Sequence, residues 1–169
     1  MLAILLARWA AYAVATGSPD ASPACVAAEA VVAELWSQPR RPPLSAGLEV
    51  RFKSPAWSRA SQLRQGGWNG PAPSEALLTR WESSPPSSAA TCANVQAVGA
   101  SMAIASPGEG AGDDARTSVG LPVIDEAGRQ ALVQVSTLRR PLGSSVYLYL
   151  LEKSAGRWKV VSRRMLAIS

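Results

Sequence analysis

Residues 119–169 carry the pattern that most constrains the fold of this chain. A turn sequence, Asp125–Gly128, separates the apolar 119–124 from the alternating 130–136. The run VYLYLL at 146–151 is almost entirely apolar, which is typical of a strand buried on both faces. After the turn at 153–156, apolar Trp158 and Val160 alternate with cations, and a loop, LRRPLGSS, is predicted at 138–145. Three or four antiparallel strands in meander order follow from this pattern.

The N-terminal third predicts a helix over 23–37. Ser22 is placed to cap it, Pro23 suits its first position, and apolar residues recur at helical spacing up to Leu35. Prolines from Pro39 onward end it. The predicted fold class is therefore α+β, with an N-terminal helix packed on a C-terminal antiparallel β-meander of three to five strands.

The middle of the chain gives weaker signals. The alternation of LEVRFK at 48–53 predicts a strand, a helical turn fits 59–65, and Ser74 begins a short helix, EALLTRW. The apolar segment 95–105 fits a strand or a helix equally well. Glycine, proline and serine predict loop-rich stretches at 54–74, 83–94 and 106–116.

The first residues resemble an export signal. Residues 1–15 are apolar and end in Ala13 and Ala15, which predicts a signal peptide cleaved near Ala15. A linker at 16–22 and a single α+β domain over 23–169 would follow. Arg8 interrupts the apolar run, and an uncleaved anchor or a mature helix are the alternatives. We expect a periplasmic or secreted protein whose mature form has no stable transmembrane segment.

Export would place both cysteines, Cys25 and Cys92, in an oxidising compartment, where they would pair. Two buried free thiols are the alternative, and lipidation of Cys25 is a further one. A bridge would constrain the unfolded chain strongly, because it closes a long loop.

The chain contains no histidine, which excludes histidine-based catalytic triads and HExxH zinc sites. Two cysteines cannot supply a four-cysteine metal site. The Gly- and Asp-rich segment 108–114 lacks the spacing of an EF-hand, and no phosphate-binding glycine motif is present. We therefore predict no metal and no cofactor.

The C-terminal part is basic. Residues 129–169 contain eight lysines and arginines against Glu152 alone. Several cations alternate with apolar residues, so one exposed sheet face could contact an anionic envelope polymer or lipid. The predicted contact residues are Arg139, Arg140, Arg157, Lys159, Arg163 and Arg164. Strict alternation places Arg163 on the same face as Arg157 and Lys159 and turns Arg164 inward, so a bulge or strand end is expected at Arg164. A solvated face that prevents edge aggregation is the simpler interpretation, and nucleic-acid binding is disfavoured because no aromatic residues interleave with the cations.

Aromatic residues supply the candidate ligand-binding set. Trp57 and Trp68 fall in predicted loops, where a tryptophan can line a ligand site. Tyr147 and Tyr149 offer hydroxyl groups on the apolar strand, although such tyrosines are usually core residues. Trp158 is expected to be a core anchor. The partner itself is not specified by these residues.

The segments PVIDEAGRQALVQVS and VYLYLLEKSAGRWKVVSRRMLAIS resemble the C-terminal hairpins of uncharacterised bacterial exported proteins. More loosely, a long helix on a curved meander is similar to nuclear-transport-factor-like and cystatin-like folds. The motifs that carry the resemblance are structural, and we expect an exported, non-enzymatic binding or structural module. The resemblance also implies an alternative, a histidine-free enzyme of the nuclear-transport-factor-like fold that uses Tyr147 and Tyr149 with Glu152 or Arg139.

Overall fold

A computed structural model describes residues 22–37, 60–85, 87–104, 116–139 and 143–168. The predicted signal peptide 1–15, the predicted strand 48–53 and Trp57 lie outside these ranges, as does all of the linker except Ser22. The described helices are α1 (Pro23–Ser37), α2 (Ala60–Leu63), α3 (Glu75–Ser83), a 3-10 helix (Ala89–Thr91) and α4 (Ala93–Ile104). The strands are β1 (Arg116–Val119), β2 (Val123–Ile124), β3 (Gln130–Arg139), β4 (Gly143–Ser154) and β5 (Arg157–Ile168).

Helices α1 and α3 begin where their capping residues predict. The Oγ of Ser22 accepts a hydrogen bond from the Cys25 N–H at 3.1 Å. The Oγ of Ser74 accepts one from the Leu77 N–H at 3.4 Å. Each serine satisfies a backbone donor that has no partner within its helix.

The segment 95–105, which fits helix or strand on its sequence, forms most of α4. Cys92 and Val95 are buried and Val98 is half-buried. Burial at every third position fits a helix and not the two-residue period of a strand. The predicted loop 83–94 contains the 3-10 helix and the start of α4, and the predicted loop 54–74 contains α2.

The strands form one antiparallel sheet in the order β1-β3-β4-β5, with β2 also paired to β3. Helices combined with an antiparallel β-meander make this an α+β chain, as the sequence predicts. The predicted loop at 138–145 is too long, because β3 continues to Arg139 and β4 begins at Gly143. Pairs such as Thr137 with Ser145 extend the ladder beyond the apolar run.

The predicted strand at 119–124 is divided into β1 and β2. Gly120, Leu121 and Pro122 separate them, and Pro122 has no N–H to donate to a ladder. The Gly120 N–H still bonds the Gln134 carbonyl at 2.8 Å, while the Leu121 N–H turns outward to the Ser87 carbonyl at 2.8 Å. The segment around Ser87 therefore covers this edge of the sheet.

Side chains of the central strands are buried on both faces of the sheet. On the first, which we call the disulfide face, Val133, Tyr149 and Trp158 belong to one hydrophobic cluster with both cysteines. That cluster also holds Val31 and other residues of α1. The double burial predicted for 146–151 is confirmed.

The opposite face, which we call the α3 face, has its own cluster. Leu132, Leu148 and Leu150 of the sheet are buried with Leu63 of α2 and Leu77 of α3. Burial of 146–151 on both faces implies a cover on this side too, but the predicted helix packs on one face only, so the elements that form the second cover were not predicted. Helices α2 and α3 are short and carry few apolar residues, so their sequences do not indicate that they cover this face of the sheet.

The β4–β5 ladder has two register shifts, and the residues 162–165 of β5 that lie between them face the opposite way from the regular alternation. Leu151 pairs with Val160 and Leu150 with Ser162, so Val161 is an extra residue. A bulge of this kind reverses the alternation beyond it. The prediction that Arg163 shares a face with Arg157 and Lys159 is therefore wrong.

The β4–β5 turn places Ala155 in a conformation that disfavours alanine. Its φ is 49°, followed by 77° at Gly156, and both values are positive as a two-residue type I′ turn requires. Asparagine adopts this conformation at lower cost, so Ala155→Asn should raise the free energy of unfolding by about 0.5–1 kcal/mol. Urea denaturation measures the change. The control Ser154→Asn should bring no gain, and a loss of stability in Ala155→Asn would contradict the turn assignment.

The loop Gly66–Gly70 lies against the outer edge of β5. The Asn69 N–H donates to the Arg163 carbonyl at 3.1 Å, and the Arg163 N–H donates to Asn69 Oδ1 at 2.6 Å. A Cβ placed on Gly70 would lie 2.6 Å from the Val161 carbonyl oxygen. Only glycine therefore fits this approach without movement of the backbone.

Gly70→Ala should lower the free energy of unfolding by roughly 1–3 kcal/mol, because the added methyl group overpacks the contact. Asn69→Ala separates overpacking from the loss of hydrogen bonds. It removes one hydrogen-bond acceptor without adding volume, and it should lower the free energy of unfolding by about 1 kcal/mol. Urea denaturation of both variants measures the changes. An unchanged midpoint for Gly70→Ala would show that the loop does not lie on this edge.

Candidate functional site

The predicted cysteine pair forms a disulfide between α1 and the residue that precedes α4. Cys25 and Cys92 are bonded, with their Cα atoms 5.5 Å apart, and both side chains are buried. The described residues contain no free cysteine. The alternatives of two free thiols and a lipidated Cys25 are therefore wrong for this structure.

A polar contact lies beside the disulfide. The Nδ2 of Asn94 donates to Glu29 Oε2 at 2.7 Å and to the Cys25 carbonyl at 3.4 Å. Asn94 Oδ1 is buried without a hydrogen-bond partner. Helix α1 is thus joined to the start of α4 by a covalent bond and by two hydrogen bonds from one side chain.

The predicted aromatic ligand set is not brought together. Trp68 is half-buried against the α3-face cluster, and its Nε1 donates to the Leu63 carbonyl at 3.1 Å. Tyr149 is 3% exposed within the cluster of the disulfide face, and Tyr147 packs against that cluster. Trp68 and the tyrosines belong to opposite faces of the sheet, so they do not line one site.

With Glu152 as the partner of the tyrosines, the alternative catalytic set is also divided. Tyr147 and Tyr149 lie on the disulfide face, with ring centroids 6.3 Å apart. Glu152 lies on the α3 face, where its Oε1 accepts from Gln130 Nε2 at 3.1 Å, and Gln130 Oε1 accepts from the Ser74 N–H. A general acid or base must reach the reacting group together with its partner. Tyr149 and Glu152 do not meet that requirement here.

The predicted basic residues occupy different surroundings. Arg157, Lys159 and Arg163 are exposed. Arg164 instead lies over the end of α2, where its Nη1 donates to the carbonyls of Gln62 at 2.8 Å and Leu63 at 3.1 Å. Its cation satisfies carbonyl groups at a helix C-terminus, which is a structural role. Arg139 ends β3, and Arg140 lies outside the described residues.

Two cations contact aromatic rings of the disulfide face. The Arg163 guanidinium carbon lies 5.9 Å from the centre of the Tyr147 ring, and Lys153 Nζ lies 5.6 Å from that of Trp158. Cations at this range are attracted to the ring face. The position of Arg163 over Tyr147 shows directly that it lies on the disulfide face.

A groove that no sequence pattern indicates opens beside β2. Its volume is about 660 Å³. The apolar part of the wall comes from Pro23, Leu121, Pro122, Val123 and Ile124, and the polar part includes Arg80, Asp125 and Glu126. The lining comes from α1, α3, the segment after α3 and the β2–β3 turn, so no local pattern could have revealed it. The groove is open to solvent, and its wall is mostly apolar with a few charged groups.

Two contacts between opposite charges lie near these elements, one at the groove and one between α2 and α3. Arg80 Nη1 lies 3.9 Å from Glu126 Oε1, a weak contact between exposed groups. Arg64 bonds Glu75 through both carboxylate oxygens, and this guanidinium holds the pKa of the Glu75 carboxyl below its usual value. The second pair ties α2 to α3 at the surface and contributes little to a binding site.

Within the described ranges, no cluster of three or more potential metal ligands occurs. None of the helices described for this chain has the length and apolar character needed to cross a membrane.

Family models, curated proteins and solved structures were each compared with this chain, and no match was found in any of the three. The resemblance to exported proteins and to nuclear-transport-factor-like or cystatin-like folds therefore stays a prediction.

Proposed function

We propose that the protein is exported and acts as a non-enzymatic binding or structural module of the cell envelope or the secreted fraction. The disulfide between Cys25 and Cys92 carries this proposal. Disulfides form and persist mainly in oxidising compartments, and this one joins the first described helix to the residue that precedes α4. The apolar residues 1–15 with the small residues Ala13 and Ala15 support it independently.

Cell fractionation with N-terminal sequencing tests the export step. The mature protein should be recovered from the periplasm or the medium, with an N-terminus close to Thr16. Recovery of the chain in the cytoplasm with Met1 still present would overturn the proposal, because both the compartment and the cleavage would be wrong.

The groove beside β2 supports a binding role. Its apolar wall suits the body of a small apolar ligand. Arg80 lies at the wall together with Asp125 and Glu126, so the charged groups there do not favour an acidic ligand. We infer that the ligand is a small, largely apolar molecule. The predicted set Trp57, Trp68, Tyr147 and Tyr149 has less support, since Trp68 and the tyrosines pack into separate clusters.

Mass spectrometry under non-denaturing conditions tests the groove. Protein recovered from its native cells should carry extra mass that is lost on denaturation. Ser87→Trp, an exposed position on the groove wall, should abolish the extra mass by filling the space, while Ser83→Trp, an exposed position outside the groove, should retain it. Equal retention in both variants would place the ligand elsewhere.

A second candidate function is contact with an anionic envelope component through β5. One observation favours it: β5 carries Arg157, Lys159, Arg163 and Arg164 and no acidic residue. Such a surface attracts anions at long range and is weakened by salt.

A further inference from the structure

The loop against β5 contains the only Asn-Gly pair of the sequence, Asn69 and Gly70, and both residues are exposed. An asparagine loses its amide when the backbone nitrogen of the next residue attacks the side-chain carbonyl carbon. Glycine hinders this attack least because it has no Cβ. The other asparagine, Asn94, precedes Val95, whose branched side chain crowds the same approach. Sequence and exposure therefore single out Asn69.

The attacking group is free, whereas the attacked side chain is held. The Gly70 N–H makes no hydrogen bond within the described part of the chain. Asn69 Oδ1 accepts a hydrogen bond from the Arg163 N–H at 2.6 Å, and the Asn69 N–H donates to the Arg163 carbonyl at 3.1 Å. Ring closure moves the side-chain carbonyl of Asn69 toward the Gly70 nitrogen, so the two bonds to Arg163 oppose it.

We propose that Asn69 is a deamidation site that the contact with β5 keeps slow, and that formation of isoaspartate there releases the loop from β5. The Gly70 nitrogen bonds to Asn69 Cγ, the Cγ–Nδ2 bond breaks, and ammonia leaves with the proton that the Gly70 nitrogen gives up through water. Water then opens the cyclic imide at either carbonyl, which gives aspartate or isoaspartate. Water is the only co-reactant.

The two products differ in their fit to β5. In aspartate, a carboxylate oxygen takes the place of Asn69 Oδ1 and can still accept from the Arg163 N–H. In isoaspartate, the main chain runs through the former side chain and is one carbon longer before Gly70. Both bonds to Arg163 and the close approach of Gly70 to the Val161 carbonyl are then no longer compatible.

Incubation of the purified, disulfide-bonded chain at mildly alkaline pH tests the protection. Peptide mass spectrometry measures the amide that remains and separates aspartate from isoaspartate. Asn69 should react roughly 10- to 100-fold more slowly in the folded chain than in the same chain in urea, because local opening must first break the two hydrogen bonds. Asn94 is the internal control and should keep its amide in both samples.

A pair of β5 variants tests whether the loop contact is the cause. The Arg164 guanidinium donates to the carbonyls of Gln62 and Leu63 and lies beside Gly67, so it holds the start of this loop. Arg164→Gln should therefore speed the reaction severalfold in the folded chain. Arg157→Gln removes the same charge from an exposed position outside the loop contact and should leave the rate unchanged.

Urea denaturation of the separated products tests the release of the loop. The isoaspartate form should have a lower unfolding midpoint than the unmodified chain, whereas Asn69→Asp, which reproduces the other product, should lie closer to the unmodified chain. Four results would each overturn the proposal: equal or faster reaction in the folded chain, no reaction in urea, equal effects of the two arginine variants, or an unchanged midpoint for isoaspartate. Since the test uses purified protein, it does not depend on the export proposal.

Discussion

Replacing Cys25 and Cys92 together by alanine should lower the free energy of unfolding by about 4 kcal/mol. The bond closes a loop with a sequence separation of 67, so its loss frees a large number of conformations of the unfolded chain. Both sulfur atoms also lie in the cluster of the disulfide face, so the loss of packing adds to the effect. Urea denaturation measures the difference, with the free energy of unfolding of each chain extrapolated to zero denaturant with its own slope.

Reduction provides the control for the cysteine variant. A reducing agent should lower the unfolding midpoint of the unmodified chain toward that of the double variant and should leave the double variant unchanged. Asn94 also joins α1 to α4 through hydrogen bonds to Glu29 and to the Cys25 carbonyl. These bonds are partly exposed, so we do not expect them to make up for the stability lost with the disulfide. An unmodified chain whose stability does not respond to reduction would show that the bond does not form.

Trp158→Ala should cost roughly 3–5 kcal/mol of stability. The side chain is 7% exposed and belongs to the cluster that contains the disulfide, Val133 and Tyr149. Removal of the indole ring leaves a cavity in that cluster and also takes away the ring beneath Lys153 Nζ. Urea denaturation, followed by circular dichroism because the variant loses a fluorophore, measures the change.

The neighbouring residue is the matched control for Trp158. Arg157 is exposed on the opposite side of β5, so Arg157→Ala should change stability by no more than about 0.5 kcal/mol. If Trp158→Ala were equally mild and Arg157→Ala severe, the strand would be shifted by one residue. That shift would exchange the two faces of β5 before the bulge.

Local patterns predicted the elements that have clear boundaries. Ser22 and Ser74 cap α1 and α3 as the sequence indicates, and the apolar run at 146–151 forms a strand covered on both faces. The pairing of Cys25 with Cys92 was predicted from the number of cysteines together with the expected export, with two free thiols as an alternative. In each case the information lies within a few residues or in a single residue type.

The features that the sequence did not predict depend on contacts between segments that are far apart in the chain. The bulge at Val161 moves Arg163 to the disulfide face. The alternation in β5 indicates a bulge only at Arg164, where a cation would face inward, and does not show that the bulge lies earlier in the strand. The cover on the α3 face comes from Leu63, Leu77 and Leu78, which lie on two short helices. The groove beside β2 is built from several separate segments, so it has no signature in the sequence.

The burial of the aromatic candidates has a similar origin. Tyr149 and Trp68 were predicted as ligand-binding residues because their local sequences do not show what covers them. Tyr149 is covered by the cluster of the disulfide face, and Trp68 packs against that of the α3 face. Each of these contacts joins parts of the chain that are far apart in sequence.

We infer that this chain folds in an oxidising compartment with Cys25 bonded to Cys92. Alkylation of the protein taken directly from its native cells, followed by measurement of its intact mass, shows whether both cysteines are bonded there. We expect no alkylation before reduction and alkylation of both cysteines after it, with residues 1–15 absent from the mass. A full-length chain that is alkylated at both cysteines without reduction would contradict the disulfide and the proposed export together.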